Sequence, residues 1–278
     1  MIFAIKNIRA SRVNLLMNDY AAGIPSPLSF LGLGDSIVRD MDLLPWSAHT
    51  IPIFHEVMVS EGRTKPEMSR NERKRAGVPE SFVPIEIVED FVGLVELSLL
   101  IDLPGCDSES DLKEVLKNKR IAGGLIQNYD EFEVSAVSKD GSAFRGLRRG
   151  YALVRPDKSE QNRLKISTGD EQSLFHIACT LFPIDPELQY GWIIPVAVGY
   201  RLLENPSVVP KRSRTRCSTT PHVFVEPVLG IAELISVRNH RLINAPETDF
   251  SSLFWSWSDQ DNFVLGHSVY KLGINCTN

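Results

Sequence analysis

Residues 91–101 read FVGLVELSLLI, and the alternation inside that run decides the architecture. Phe91, Val95, Leu97, Leu99 and Ile101 share one side of an extended strand and Glu96 and Ser98 the other, because successive strand side chains point to opposite faces. So apolar a run belongs near the centre of a sheet. Downstream, SESDLKEVLKNKRIAGG (108–124) reads as a helix. Ser108 and Asp111 form a capping-box arrangement, Leu112, Val115 and Leu116 the buried stripe, and the Gly123-Gly124 pair is expected to stop it. EFEVSAVS (131–138) is the next strand.

Upstream, IFAIKNIRA (2–10) is short, rich in β-branched residues and free of Gly and Pro, so it reads as a strand. IPSPLSFLGLGDSIVRDM (24–41) reads as a helix, with Ser26 as N-cap, Pro27 at the first helical position, and Leu28, Leu31, Ile37, Val38 and Met41 on its apolar face. Gly32 and Gly34 weaken a helix unless another backbone or a ligand comes close. HTIPIFHEVMV (49–59) holds a further strand. The order β-α-β-(insertion)-β-α-β over residues 1–150 is that of an α+β, ferredoxin-like domain of the RNA-recognition type, the insertion lying at about 62–88. Residues 151–278 form a smaller, mainly β region. There YALVRP, GWIIPVAVGY and HVFVEPVLGIAEL are apolar runs broken by Pro and Gly, followed by Phe250, Phe254, Trp255 and Trp257 spaced as one helix face.

Charge is unevenly placed. The 278-residue chain carries −5, yet three segments are basic. RTKPEMSRNERKR supplies Arg63, Lys65, Arg70, Arg73, Lys74 and Arg75; FRGLRR supplies Arg145, Arg148 and Arg149; KRSRTR supplies Lys211, Arg212, Arg214 and Arg216. Cations concentrated in an otherwise acidic chain suit local capture of a polyanion, since Lys and Arg neutralise phosphates and the Arg plane also stacks on bases. The competing reading is three solvated loops.

No run approaches the roughly 20 apolar residues of a membrane helix, and MIFAIKNIRASR lacks the features of a secretory signal, so a cytoplasmic location and no membrane partner are expected. Cys106, Cys179, Cys217 and Cys276 form no C-x-x-C pair, which supports neither a zinc site nor a disulfide framework. No nucleophile elbow, phosphate loop with GK[ST], dinucleotide fingerprint or H-E-x-x-H motif is present, so neither a catalytic constellation nor a metal or other cofactor is expected. His49 and His55 are the residues an RNA-cleaving general acid/base pair would use. His55 and Glu56 are adjacent on a strand and would point apart.

Six strings in order, GIPSPLSFLG (23–32), VELSLLI (95–101), RIAGG (120–124), RRGYALV (148–154), GWIIPVAVGY (191–200) and FVEPVLGIAEL (224–234), resemble the Csy-two, or Cas-five-type, backbone subunits of type I-F CRISPR surveillance complexes. The resemblance implies a RAMP-type ferredoxin-like domain with a basic thumb inserted at 62–88. It implies a non-catalytic scaffold that holds the 5′ handle of CRISPR RNA, joins the large subunit to the adjacent helical (Cas-seven-type) backbone subunit, and serves DNA targeting indirectly in antiviral defence. Gly123 and Gly124 would let RNA approach the backbone, because glycine has no side chain and tolerates unusual dihedrals. An RNA-processing endoribonuclease of the same superfamily and a protein-interaction adaptor are the alternatives.

Overall fold

The computed structural model describes residues 1–18, 21–60, 64–66, 87–89, 91–156, 192–209, 220–260 and 263–266. β1 (Ile2–Asn14) runs into a small hairpin, β2 (Leu16–Asn18) and β3 (Ala21–Ala22), and then into α1 (Pro27–Asp40). β4 (His49–Val59) and β7 (Val92–Asp102) flank the insertion, of which β5 (Thr64–Pro66) and β6 (Ile87–Glu89) pair with each other. Next come α2 (Glu109–Leu116), β8 (Arg120–Ile121), β9 (Gly124–Ile126) and β10 (Glu133–Val137). The remaining elements are β11 (Tyr151–Val154), β12 (Trp192–Leu202), β13 (Val225–Ser236), α3 (His240–Ile243), α4 (Glu247–Ser252), β14 (Trp257–Gln260) and β15 (Phe263–Gly266).

The fold is α+β around one large antiparallel sheet in the order β14-β15-β12-β13-β11-β4-β7-β1-β9-β8, with β10 also paired to β1. β7 is central, as its alternation demands. Val95, Leu97, Leu99 and Ile101 are fully buried on the side where Phe30, Leu31 and Ile37 of α1 and Leu112 and Leu116 of α2 pack. On the opposite face Leu100 joins Ile2, Ala4, Ile51 and Ile53 beneath Phe144, Leu147, Phe250 and Phe254. That second apolar layer covers only part of the face. Farther along the same strands the positions are Asn7, Arg9, His55, Glu96 and Ser98, and the surface there is polar.

Both long helices start as their sequences demand. The Ser26 hydroxyl accepts from Leu28 N at 3.1 Å and donates to Ala197 O at 2.8 Å, so one residue caps α1 and ties it to β12. Ser108 caps α2 by accepting from Asp111 N at 3.2 Å. Gly34 is where α1 comes closest to the chain entering β4: a Cβ there would lie 2.7 Å from that of Ala48, whereas Gly32 faces open space.

Two expectations are corrected. Gly123-Gly124 does not end a helix. α2 stops at Leu116, and Ala122 (φ 45°) and Gly123 (φ 79°) are the central residues of the two-residue turn joining β8 to β9, where two positive φ values match the twist of a hairpin. Nor do the C-terminal aromatics share a helix face. Phe250 lies in α4, whereas Trp255 is fully buried beyond it, donates from Nε1 to Leu153 O at 2.9 Å and pairs through its backbone with Thr50. Trp257 is in β14 and donates to Asp35 at 2.7 Å.

Candidate functional site

The segment from Asp140 to Gly150 crosses the second face of the sheet, and its sequence explains how it is held. Asp140 accepts from Ser142 N at 2.8 Å and starts a 3₁₀ turn, Gly141–Phe144. At Gly141 a Cβ would collide with the Leu242 carbonyl, so only glycine lets the turn seat against α3. Phe144 and Leu147 then insert into the apolar layer, at 0% and 3% exposure, leaving Arg145, Arg148 and Arg149 outside. Arg238, from the turn after β13, donates to Arg145 O at 3.0 Å and Leu147 O at 2.9 Å. The basic run is therefore clamped to the sheet from two sides.

The second clamp is His55. Its Nδ1 lies 2.9 Å from Arg149 O, and a carbonyl can only accept, so Nδ1 carries the proton. Nε2 is then free to accept from the Ser98 hydroxyl at 2.7 Å, while Ser98 accepts from Asn7 N at 3.3 Å. Burial pushes the His55 pKa below its usual value, and the charge of Arg148 adds to that, against the Arg149 hydrogen bond and Glu96. The ring is neutral at pH 7 with both nitrogens engaged, which is the bonding of a positioned structural imidazole.

Beside it Glu96 receives Arg148 at 2.7 Å on one carboxylate oxygen and Arg9 Nε at 3.0 Å on the other. The Arg148 hydrogen bond chiefly, aided by Arg9, holds the carboxylate pKa below its ordinary range. Asn128 closes the group, donating to Asn7 O at 2.7 Å and accepting from Arg9 N at 2.9 Å. These residues line a cavity of about 230 Å³, with Glu131 at its margin. Arg9 and Arg148 balance Glu96 and Glu131 within it, so the surplus positive charge sits on the adjoining run. There Arg145 reaches only Ile243 O at 3.4 Å, and Arg149 has no side-chain hydrogen bond or ion pair to another described residue.

The candidates from sequence divide accordingly. Arg148 is at the cavity and Arg145 and Arg149 beside it. Gly123 is exposed at the hairpin turn with open space around it, but Gly124 is buried against β1, where a Cβ would lie 2.7 Å from Ser11 O and from Val13, so its freedom serves the chain's own packing. Lys65 belongs to β5. Arg63, Arg70, Arg73, Lys74, Arg75, Lys211, Arg212, Arg214 and Arg216 lie outside the described residues. His49 is 3.9 Å from Asp102 and stands apart from His55 on β4. Sequence reasoning does not reach Arg9, Asn128 and Arg238. Arg9 alone carries a signal, being a cation inside an apolar strand, while the other two depend on contacts over 90 residues or more along the chain. Among the described residues no group of three His, Cys, Asp or Glu side chains gathers to hold a metal ion, and no helix is long and apolar enough to cross a membrane.

A search of the curated proteins finds no match to this sequence. A family model described as CRISPR-associated protein (Cas_Csy2) matches residues 167–265, the region that supplies β12, β13, α3, α4, β14 and β15. Four of the six ordered motifs lie before that region and two within it, so the family match and the motifs agree, and the chain resembles a Csy2-type CRISPR-associated subunit.

Proposed function

We propose that the chain is a non-catalytic RNA-binding scaffold of a type I-F CRISPR complex, working in the cytoplasm, that holds the 5′ handle of CRISPR RNA and joins the large subunit to the first helical backbone subunit. The observation that carries this reading is the basic run Arg145–Arg149, held rigidly beside a polar cavity by Arg238 and His55. With the backbone of the run already held, binding phosphates does not require ordering its main chain, and Arg binds them bidentately.

The domain organisation supports the same reading. The four strands β1, β4, β7 and β10 follow the chain order β-α-β-β-α-β, stand in the sheet as β4-β7-β1-β10, and carry α1 and α2 on one face, an order that supports reading this part as a ferredoxin-like domain. The insertion between β4 and β7 begins with a paired base, β5 and β6, as a thumb would. The bonding of His55 supports a non-catalytic role for that residue, because both of its nitrogens are occupied by protein partners.

Isolation of the chain co-expressed with the other subunits and a CRISPR array tests the proposal. Crosslinks from the Arg145–Arg149 run should map to the 5′ handle, and the precursor should remain uncut by the isolated chain. Crosslinks spread evenly along the spacer would contradict the assigned position. Specific cleavage abolished in His55→Ala would contradict the absence of catalysis.

A further inference from the structure

We propose that Tyr151 and Trp192 form a stacking platform for a base of single-stranded RNA, a role that rests on the RNA-binding reading above and adds to it a residue-specific, uncharged component. The two rings come from strands on either side of β13: Tyr151 is in register with Ser236 on one edge and Trp192 with Leu234 on the other. Across the intervening strand their centroids are 5.7 Å apart and their planes 24° from parallel. The pair is nonetheless exposed, Trp192 at 61% and Tyr151 at 44%, whereas Phe54, the register partner of Tyr151 on β4, is buried. Two stacked rings presented to solvent offer an outer π-face that any nucleobase can extend.

The chemistry beside the rings selects that occupant. Tyr151 is two residues from Arg149, whose guanidinium has no described partner, and three from Arg148 at the cavity. A ligand that is flat, aromatic and anionic at a short distance from its ring satisfies both features, and a nucleotide has that character. β11 pairs with β4 only through Tyr151–Phe54 and Ala152–Ile53, and beyond Phe54 the chain at Arg149–Gly150 lies against β4: the Arg149 carbonyl accepts from His55, and a Cβ at Gly150 would lie 2.5 Å from Phe54 O. By alternation Tyr151 shares the helix-side face with the buried Leu153, whereas Arg148 reaches Glu96 on the opposite face. The rings and Arg148 therefore lie on opposite faces, so the phosphate next to a base stacked on the rings is assigned to Arg149, two residues before Tyr151, and not to Arg148.

The test is binding of a labelled single-stranded RNA of about ten nucleotides, within the usual span of one single-strand site, across a series of salt concentrations. Trp192→Ala and Tyr151→Ala are each expected to weaken binding roughly tenfold at fixed salt while leaving the salt slope unchanged, and Trp192→Phe to retain most of the affinity. An otherwise identical abasic RNA should bind the parent chain and Trp192→Ala equally. Thermal melting of each variant should match the parent; if Trp192→Ala is unfolded, the Phe variant and the abasic RNA carry the test. Unchanged affinity in both alanine variants, with weaker binding in Arg148→Ala/Arg149→Ala, overturns the platform and leaves the RNA-binding reading standing. Failure of the parent chain to bind RNA overturns that reading first. Unchanged RNA affinity in Trp192→Ala, with the other subunits no longer co-purifying, reassigns the rings to a protein interface and overturns the proposal.

Discussion

His55 and Glu96 set the shape of the site through opposite electrostatic demands. The imidazole must stay neutral to accept from Ser98, and burial first, then Arg148, lower its pKa from 6.5. The unfolded chain therefore binds more protons over the interval between the two values, so this contribution to stability is complete above about 6.5 and is lost as pH falls through the lower folded value. The urea midpoint of the parent should fall between pH 7 and pH 5, and His55→Gln, which keeps a donor for the Arg149 carbonyl but does not titrate, should show a shallower fall. An equal fall in both proteins would remove His55 from this role. Glu96 has the same sign at lower pH: Arg148 and Arg9 lower its pKa from 4.5, so its contribution is present above that value and lost as pH falls below it. If Arg148 exchanges Glu96 for phosphate, Glu96→Gln should tighten RNA binding and steepen its salt dependence, because a competing carboxylate has gone. Weaker binding in that variant would mean that the carboxylate positions the guanidiniums.

Among the elements, the hairpin β8–β9 and the 141–150 segment depend on particular glycines and on one distant arginine. Gly124→Ala places a Cβ 2.7 Å from Ser11 O and 2.8 Å from Val13 Cα, both backbone atoms, so the hairpin must shift off β1 at a cost of about 1–3 kcal/mol. Denaturant unfolding checks this, and an unaltered midpoint would show that the hairpin is not docked. Arg238→Ala removes two hydrogen bonds to carbonyls of the basic run and should lower both the melting temperature and RNA affinity, although Arg238 itself need not touch RNA. How much of this is legible in the sequence follows from the range of the forces involved. The β7 alternation and the Ser26 and Ser108 caps are local patterns, and each forms the element expected. The glycine pair misleads because helix caps and hairpin turns use the same residue, and only the pairing of Ile121 with Gly124 separates them. The Arg9–Glu96–Arg148 group is invisible in sequence because its members are 87 and 52 residues apart and meet only through strand register. The ladder of β12 with β13 contains Pro195 and Pro227, which read in sequence as breaks.

At the scale of the whole molecule, an acidic chain presents its described basic run at the one end of a two-faced sheet where the second apolar layer stops. The domain core accounts for this placement: residues such as Leu100 and Ile53 need Phe144 and Leu147 above them, and the same short segment that supplies those anchors carries Arg145, Arg148 and Arg149 to the surface. Folding of the segment and display of its charge are thus one event. Its rigidity follows as well, because the anchors, Arg238 and His55 hold it at four positions. RNA affinity measured against salt concentration, for the parent and for Arg148→Ala/Arg149→Ala, tests the role of this basic run most directly. The expected result is weaker binding and a logarithmic salt slope lower by about 1.4, or about 0.7 for each phosphate no longer neutralised, with the melting temperature lowered only by loss of the Arg148–Glu96 pair and unchanged in Arg149→Ala alone. The same affinity and the same slope in both proteins would contradict that role.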